Sequence, residues 1–274
     1  MLILIIVLII NVGCGQNKNL FRQKSGSPET SIGFMQIKND TIFNSNQIIS
    51  LLTIHKSDIS NFNIKFGLNK SSLMKTSSIA MNNNAIAAIN AGFFNSNGVS
   101  ATYFEINDTI INKKNTTNKK FSITDILMNG AIVIKNDSKI VLEYAKSEQF
   151  YDSSRQESAV LISGPLLLID SEILELPDVN FVNNRHPRTC LCETKESIVF
   201  ITIDGRRLEA KGMSLLEAQS FLMHLGCINA INLDGGGSTS MWIKGKGVVN
   251  FPSDKNGERP ISNALLIVNK TIVD

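Results

Sequence analysis

Residues 197–240 read SIVFITIDGRRLEAKGMSLLEAQSFLMHLGCINAINLDGGGSTS, and this stretch decides which fold is predicted. The apolar, β-branched run at 198–203 is typical of a buried strand. A helix is predicted to begin at Ser214, where Glu217 completes a capping box, and to end at a glycine. A second apolar run at 227–233 predicts another strand. The stretch therefore predicts a strand–helix–strand crossover whose two strands run parallel.

Two acidic residues, Asp204 and Asp234, directly follow these strands. Because ligands collect at the edge where parallel strands end, both carboxylates are candidate catalytic groups. Neighbouring strands would place them about 5 Å apart. An intervening strand would roughly double that separation and leave room for a water molecule, and in glycoside hydrolysis the two spacings give different stereochemical outcomes. The sequence leaves both arrangements open.

Three consecutive glycines occupy positions 235–237. Glycines let backbone amides approach a ligand closely, so this segment is a candidate substrate-binding loop. A nucleotide-binding P-loop would need a lysine and a following helix, whereas residues 238–243 predict a strand. Nucleotide binding is therefore disfavoured, and a plain hairpin loop is the alternative.

The rest of the chain consists mainly of short apolar runs separated by polar turns, which predict strands joined as hairpins. One further helix is predicted over 71–82, and the small, apolar segment 85–89 predicts a strand buried on both faces. The predicted fold class is α+β: a mixed, largely antiparallel β-sheet with one β-α-β crossover and packed helices. The other predicted strands cover residues 48–54, 62–67, 102–106, 131–134, 140–144, 165–169, 173–176, 190–194 and 264–268.

The composition narrows the class of protein. The chain has 274 residues, of which 43% are hydrophobic, and its formal net charge is +3. That length suits one domain with a sizeable core. The charge is too small, and the lysines are too scattered, to favour nucleic acid as a partner.

The N-terminus begins with MLILIIVLII, an apolar run too short to span a membrane. It predicts a signal peptide over 1–14 whose lipobox-like end makes Cys14 a lipidation site. Residues 15–30 predict a disordered tether, and residues 31–274 predict the folded domain. We expect a lipid-anchored protein of the bacterial cell envelope that faces the periplasm or the cell surface, with plain secretion as the alternative.

Three further cysteines are Cys190, Cys192 and Cys227. The first two lie two residues apart on a predicted strand, so they share a face and do not easily bond each other. Either could pair with Cys227 in an oxidising compartment, but buried free thiols are the favoured interpretation. Without histidines at ligand spacing, a zinc site is disfavoured.

Basic side chains are predicted near the same sheet edge as the two aspartates. Arg188 begins a strand predicted to run antiparallel to 198–203, and Arg206 lies two residues beyond Asp204. The fork of an arginine suits phosphate or carboxylate, and ion pairs with the aspartates are the alternative. His186 is either a turn residue or a titrating group.

Polar residues from other parts of the chain could reach this edge as well. Asn90 ends the strand predicted at 85–89, with capping of its own turn as the alternative. Arg259 and Asn263 precede the last predicted strand and could reach the same cleft.

Six short motifs connect these candidates and occur in a fixed order. As a set they resemble the phosphodiester glycosidase family, over about residues 30–270, and Ala91 stands where a glycine is common in that family. The motifs are Asn90-Ala91-Gly92-Phe93-Phe94, Arg185-His186-Pro187-Arg188-Thr189, Asp204-Gly205-Arg206, Gly212-Met213-Ser214, Leu233-Asp234-Gly235-Gly236-Gly237-Ser238 and Arg259-Pro260-Ile261-Ser262-Asn263.

The resemblance implies hydrolysis of the bond between the anomeric carbon of a sugar and a phosphodiester oxygen, which releases the free sugar and a phosphomonoester. This chemistry requires a carboxylate near the anomeric carbon and stabilisation of the phosphate charge. The predicted catalytic residues are Asp204, Asp234 and Arg188, with Arg188 and Arg206 as phosphate binders. The predicted substrate-binding residues are Asn90, Gly92, His186, Arg206, Gly235, Gly236, Gly237, Ser238, Arg259 and Asn263.

The expected substrate is a carbohydrate phosphodiester in an envelope or extracellular glycoconjugate. No cofactor is predicted, although a pair of aspartates leaves a divalent metal open. Two alternative functions are an exo-glycosidase acting on non-phosphorylated glycans and a non-catalytic, glycan-binding surface lipoprotein. In the first, the arginines would bind carboxylates.

Overall fold

Short strands and tight turns form three antiparallel β-sheets in the computed structural model, which describes residues 32–69, 71–113 and 126–270. The strands are β1 (Ile32–Asn39), β2 (Gln47–His55), β3 (Phe62–Leu68), β4 (Ala87–Asn90), β5 (Phe104–Ile106), β6 (Thr109–Asn112), β7 (Gly130–Lys135), β8 (Ile140–Tyr144), β9 (Glu157–Ser163), β10 (Leu166–Ile169), β11 (Glu172–Ile173), β12 (Arg188–Thr194), β13 (Ser197–Ile203), β14 (Cys227–Asn232), β15 (Met241–Ile243), β16 (Gly247–Val248) and β17 (Asn263–Asn269). The helices are α1 (Thr76–Asn82), α2 (Glu148–Ser153), α3 (Asn180–Asn183) and α4 (Leu215–His224).

The sheets differ in size and in how far apart their strands lie in the sequence. The first has seven strands in the order β1-β2-β13-β12-β14-β10-β11. The second has five strands in the order β16-β15-β4-β17-β3, and the third has the order β6-β5-β9-β7-β8. The first two sheets thus pair strands from the beginning of the chain with strands from its end.

One hydrophobic core lies between the three sheets. Phe200 and Ile231 enter it from the first sheet, Leu265 from the second and Ile132 from the third, and all four are fully buried. The outer face of each sheet is covered by a helix: α4 packs on the first sheet, α1 on the second, and Tyr151 of α2 on the third. Central strands such as β4 and β13 therefore bury residues on both faces, which explains their continuous apolar runs in the sequence.

The predicted crossover is confirmed as β13, α4 and β14. The Ser214 side chain and the Glu217 carboxylate form both halves of the capping box at the start of α4. β12 lies between β13 and β14 and pairs antiparallel with each of them, so β13 and β14 run parallel. Of the two arrangements that the sequence left open, the structure has the one with an intervening strand.

The prediction of a largely antiparallel sheet is confirmed, and the fold is more β-dominant than the α+β class implies. Every strand pairing among the described residues is antiparallel, distributed over three sheets rather than one. The helices in the described ranges are short, and among them only α4 reaches ten residues. The helix predicted over 71–82 begins at Thr76, because the preceding residues cross to pair with Ile261 through Met74.

The preference for three buried free thiols is wrong for two of the cysteines. Cys192 and Cys227 form a disulfide that joins β12 to β14, whereas Cys190 is a buried free thiol. Cys192 lies nearer the end of β12, where Thr194 is the register partner of Cys227. Strand register therefore decides which of the two cysteines reaches the third.

The signal peptide expected over 1–14, with Cys14, and the tether expected over 15–30 lie outside the described residues. The described residues from 32 to 270 cluster in one compact unit, and the domain bounds given above stay a prediction. Within the described part of the chain, no helix has the length and apolar character to cross a membrane.

Candidate active site

Asp204 and Asp234 follow β13 and β14 at the same edge of the first sheet, with the start of β12 between them. Pro187, which directly precedes β12, touches the loops after both strands. A Cβ atom on Gly205 would lie 2.7 Å from the Pro187 nitrogen, and one on Gly235 would lie 2.7 Å from the Pro187 oxygen. These close approaches explain why each aspartate is followed by a glycine.

Asp204 is 1% exposed, and its carboxylate is held by protein groups. Its Oδ1 accepts a hydrogen bond from Asn250 Nδ2 at 3.1 Å, and both oxygens lie 3.1 Å from the Phe251 amide nitrogen. Burial raises the pKa of Asp204 to about 6, against the opposing effect of these donors and of the charges of Arg207 and Lys38. Asp204 therefore anchors the 250–251 segment instead of facing an open cleft.

Asp234 is only partly buried, and its backbone is fixed while its carboxylate faces cationic and polar groups. Asn90 Nδ2 donates to the Asp234 carbonyl oxygen at 2.5 Å. Burial raises the pKa of Asp234 to about 6, and the Ser238 hydroxyl, the Arg259 charge and the amide that follows Asp234 oppose that rise. This carboxylate thus lies in an environment suited to a general base or nucleophile at neutral pH.

Asn90 lies beneath the aspartate loop and connects three segments. It is 1% exposed, and its Oδ1 accepts hydrogen bonds from Thr189 Oγ1 at 2.7 Å and from the Ser240 amide at 3.1 Å. Its Nδ2 donates to Asp234, so both ends of its amide group are paired with protein atoms. Through these contacts Asn90 fixes the position of the Asp234 backbone, and we describe it as a positioning residue.

Two guanidinium groups pack against the glycine loop that follows Asp234, and one of them, that of Arg259, acts on the Asp234 carboxylate. A Cβ on Gly236 would lie 2.9 Å from Arg206 Nη2, and a Cβ on Gly237 would overlap the side chains of Arg259 and Asp254. Asp254 holds Arg259 in a bidentate pair, with Nε–Oδ2 at 2.8 Å and Nη2–Oδ1 at 3.0 Å. The glycines are therefore needed so that both cations can lie against the backbone after the catalytic candidate.

Arg206 is the more available of the two cations. It is exposed, its backbone has a left-handed φ of +62°, and within the described residues its guanidinium makes no ion pair or hydrogen bond. His186 lies beside it, anchored by two 3.1 Å backbone hydrogen bonds with Met213. Burial and the positive charges of Arg188 and Arg206 lower the pKa of His186, so its ring is neutral at neutral pH.

Arg188, predicted as a catalytic phosphate binder, lies below the surface of the site. It is 1% exposed, and its guanidinium donates to the carbonyl oxygens of Met213, Phe181 and Asn184 at 3.0, 2.8 and 2.9 Å. Burial lowers its pKa to about 10, and it remains charged at neutral pH. The structure thus places Arg188 where it braces the loops around β12, and not where it could contact a substrate phosphate.

Asn263 and Gly92 meet at the far side of the Asn90 strand. The Asn263 Oδ1 accepts a hydrogen bond from the Gly92 amide at 2.7 Å, and a Cβ on Gly92 would lie 2.9 Å from Leu161. Asn263 is fully buried, and its Nδ2 has no hydrogen-bond partner among the described residues. Both residues support the loop that begins at Ala91, whose oxygen accepts the Asp234 amide at 3.0 Å.

Two hydroxyls follow the glycines. Ser238 and Thr239 are each 1% exposed, and within the described part of the chain neither hydroxyl forms a hydrogen bond of good geometry. Ser238 Oγ nevertheless lies close enough to Asp234 to favour its ionised form. A cavity of about 770 Å³ lies between the β1–β2 turn and the side chains of Arg207, Glu209 and Phe251.

Sequence reasoning missed the residues that hold the site in place. No role was predicted for Asn250, Phe251 or Asp254, which lie in the segment between β16 and β17. An acidic residue five positions before Arg259 is the one local signal for Asp254. No local signal marks Asn250, because its partner Asp204 is 46 residues away.

Within the described residues, no three His, Cys, Asp or Glu side chains are grouped to hold a metal ion.

Comparison with known proteins gives a family match. The family model described as phosphodiester glycosidase matches residues 83–268, more than half of the chain. The SPbeta prophage-derived uncharacterized protein YomE of Bacillus subtilis is 38% identical over 71 residues, which cover 26% of this chain and 11% of that protein. The N-acetylglucosamine-1-phosphodiester alpha-N-acetylglucosaminidase of Bos taurus is 31% identical over 144 residues, covering 47% of this chain and 27% of the enzyme.

The corresponding human enzyme is 28% identical over 183 residues, covering 61% of this chain and 33% of that protein. The chain therefore spans about a third or less of the length of these curated relatives. Among solved structures, the catalytic domain of the zebrafish enzyme, auto-inhibited by its pro-peptide, has a TM-score of 0.66 at 21% identity and covers 90% of this chain and 86% of that one. A hypothetical protein from Synechocystis has a TM-score of 0.64 at 15% identity, covering 88% and 62%. These structural likenesses establish the fold.

Proposed function

This chain belongs to the phosphodiester glycosidase family, and from this premise we propose that it hydrolyses the bond between a sugar's anomeric carbon and a phosphodiester. The proposed substrate is a carbohydrate phosphodiester of an envelope or extracellular glycoconjugate. The curated mammalian relatives are named for N-acetylglucosamine-1-phosphodiesters, which makes that sugar the first to test.

The observation that carries the proposal is the meeting of Asp234 with Arg259 and Arg206 at the glycine loop. A carboxylate suits the developing positive charge at an anomeric carbon. Guanidinium groups suit the negative charge of a phosphate. The guanidinium of Arg259 is already held by Asp254, so its side chain loses little conformational freedom when a phosphate binds. In the transition state of the proposed reaction, positive charge develops at the anomeric carbon beside the negatively charged phosphate, so this arrangement matches a sugar phosphodiester better than it matches a neutral glycoside.

The proposed reaction breaks the bond between the anomeric carbon and the bridging oxygen. The electron pair of that bond leaves on the phosphate oxygen, giving a phosphomonoester that Arg206 and Arg259 stabilise. In one route, Asp234 takes a proton from water as the water attacks the anomeric carbon directly. In the other, Asp234 attacks first and water then hydrolyses the bond between Asp234 and the sugar. Both routes leave the oxygen of water on the anomeric carbon. Because a phosphate is a good leaving group, the reaction does not require strong general-acid help at that oxygen.

Asp204 has a different role in this proposal. Its carboxylate is occupied by Asn250 and the Phe251 amide, so it supports the site by holding the segment that leads to Asp254. We assign neutral His186, beside Arg206, to a hydrogen bond at the phosphate end of the substrate.

The test uses three kinds of compound with native protein and with the Asp234→Asn and Asp204→Asn variants. N-acetylglucosamine-1-phosphodiesters, simple aryl glycosides and a glycan array separate the proposal from its rivals. We expect free sugar and a phosphomonoester, seen by ³¹P NMR, and a loss of at least a hundredfold in Asp234→Asn, the scale of losing an acid/base group. Turnover of aryl glycosides alone would favour an exo-glycosidase, and binding without turnover would favour a glycan-binding protein.

We also propose that the protein is lipid-anchored in the bacterial envelope through Cys14. The Cys192–Cys227 disulfide supports this location, because such bonds persist in oxidising compartments. Growth with labelled palmitate is expected to label native protein but not a Cys14→Ala variant. Equal labelling of the two, or none of the native protein, would contradict the anchor.

A further inference from the structure

A second cavity, of about 380 Å³, lies beside the candidate active site on the loop that follows β13. Its lining consists of Arg206, Arg207, Leu208 and Lys211, and we call it the basic pocket. Three of its four lining residues are cationic and none is acidic, unlike the larger neighbouring cavity, which Asp40 and Glu209 also line. The basic pocket is therefore suited to an anion.

The basic pocket is connected to the active site through Arg206. This residue lines the pocket, and its guanidinium also packs on Gly236 of the glycine loop. The rest of the loop is fixed to the scaffold, since the Lys211 amide donates to the Asn46 oxygen at 2.8 Å and Asn46 Nδ2 donates to the Leu208 oxygen at 2.9 Å. A ligand that reaches from Gly236 past Arg206 would enter a surface that is already formed.

The charges of the pocket are only partly neutralised. Arg207 pairs with Glu209 at 2.9 Å, and its guanidinium carbon lies 3.6 Å from the centroid of the Phe251 ring. Within the described residues, neither Arg206 nor Lys211 makes an ion pair. One carboxylate thus faces three cations, and the pocket retains a net positive charge directly beside the groups proposed to bind the scissile phosphate.

We propose that the basic pocket binds a second oxyanion of the substrate, a phosphate or a carboxylate carried by the alcohol part beyond the scissile phosphodiester. This inference rests on the proposed function and narrows its substrate class. The preferred substrate is a glycosyl phosphodiester whose alcohol part has a negative charge of its own, in addition to the charge of the scissile phosphodiester. An anionic glycan or a repeating sugar–phosphate chain has this arrangement.

The experiment compares three diesters that share N-acetylglucosamine-1-phosphate. The alcohol part is a neutral methyl hexoside, the same hexoside with a second phosphate, or a methyl hexuronoside. We expect kcat/KM to be at least tenfold higher for a charged diester at low ionic strength and to lose that advantage as salt is added. The more favoured of the two charged compounds identifies the oxyanion as phosphate or carboxylate.

Variants locate the effect. Lys211→Gln is expected to remove most of the preference while changing kcat/KM for the neutral diester by less than twofold. Lys195→Gln, at an exposed position on the β12–β13 turn, is the matched control and is expected to keep the preference. Equal rates for neutral and charged diesters, or an unchanged preference in Lys211→Gln, would overturn the inference while leaving the proposed function intact.

A binding measurement separates the two failures. If no diester is cleaved, the proposed function fails, and the pocket is then tested by NMR titration with the phosphorylated methyl hexoside and with the hexuronoside. Native protein is expected to bind one of them at least tenfold more tightly than the Lys211→Gln variant does, and no difference would overturn the inference. Because Leu208 is 75% exposed, the pocket could also contact a lipid surface, and sedimentation with phosphatidylglycerol vesicles tests this. Vesicle binding that depends on Leu208, together with no preference among the soluble compounds, would overturn the inference and assign the pocket to a lipid surface.

Discussion

Asp204 and Asp234 have the same side chain, follow parallel strands and share a pKa raised to about 6 by burial, yet the structure gives them different surroundings. The Asp204 carboxylate is enclosed and accepts backbone and amide hydrogen bonds, whereas the Asp234 carboxylate faces Arg259 and the glycine loop. Because chemistry requires access, we assign the reacting role to Asp234 and a supporting role to Asp204.

A first prediction concerns the pH dependence of activity. If Asp234 must be ionised, kcat/KM for a sugar-1-phosphodiester is expected to fall as the pH drops below about 6, the pKa of this carboxyl group in the folded protein. The profile is measured for native protein and for Asp204→Asn, which is expected to keep this acidic limb. Loss of the limb in Asp204→Asn would transfer the reacting role to Asp204.

A second prediction concerns the stability cost of burying Asp204. The folded pKa lies above the ordinary value of 3.8, so the folded state binds the proton more tightly than the unfolded state does, and the free energy of unfolding falls as the pH rises through this range. Asp204→Asn removes this titration. Between pH 4 and pH 7.5, the unfolding free energy of native protein is expected to fall by about 2 kcal/mol relative to that of the variant.

Denaturant unfolding at the two pH values measures this difference. Glu172→Gln, on the exposed strand β11, is the control and is expected to show no such relative change. A difference between native protein and Asp204→Asn that stays constant with pH would show that burial does not perturb this carboxyl group.

At the level of elements, the loop after β14 determines where the cations lie. A third prediction is that Gly237→Ala lowers kcat/KM by about a hundredfold, the scale of a 1 Å misplacement, because the new methyl group would displace Arg259 and Asp254. The comparison variant is Gly245→Ala, where φ is +79° and the space is open. It is expected to cost about 1 kcal/mol of stability and to leave kcat/KM unchanged. Equal activity of the two variants would contradict the proposed placement.

The elements that sequence reasoning predicted well are those with local signals. The capping box at Ser214, the apolar run of β13 and the glycine after α4 all depend on residues within a few positions of one another. The insertion of β12 between β13 and β14 has no such signal, because a parallel pair can be adjacent or separated with the same sequence pattern.

The candidate site shows the same division. The two aspartates and the glycine loop are visible as strand-end residues, whereas the assignment of Arg188 to backbone carbonyls depends on α3 and on Met213. Likewise, the exclusion of Asp204 from the open site depends on Asn250 and Phe251. Such contacts join residues that are distant in the sequence, and a single sequence contains no direct record of them.

At the level of the whole molecule, the site lies where strands of the first two sheets end. A disulfide joins two of those strands, β12 and β14, and its two cysteines are 35 residues apart in the sequence. A fourth prediction is that replacing both cysteines, in Cys192→Ala/Cys227→Ala, lowers the unfolding free energy by about 3–4 kcal/mol, the loop-closure contribution expected for this separation. Cys190→Ala is the control, because its thiol is not bonded. A loss below about 1 kcal/mol in the double variant would show that the sheet alone fixes these strands.

The central claim is that the anomeric carbon–oxygen bond, and not a phosphorus–oxygen bond, breaks beside Asp234. The most direct test is turnover of an N-acetylglucosamine-1-phosphodiester in ¹⁸O-labelled water, with mass spectrometry of both products. We predict that the label enters the released sugar at its anomeric oxygen and that the phosphomonoester contains none. Label in the phosphate would contradict the claim, since it would show attack at phosphorus.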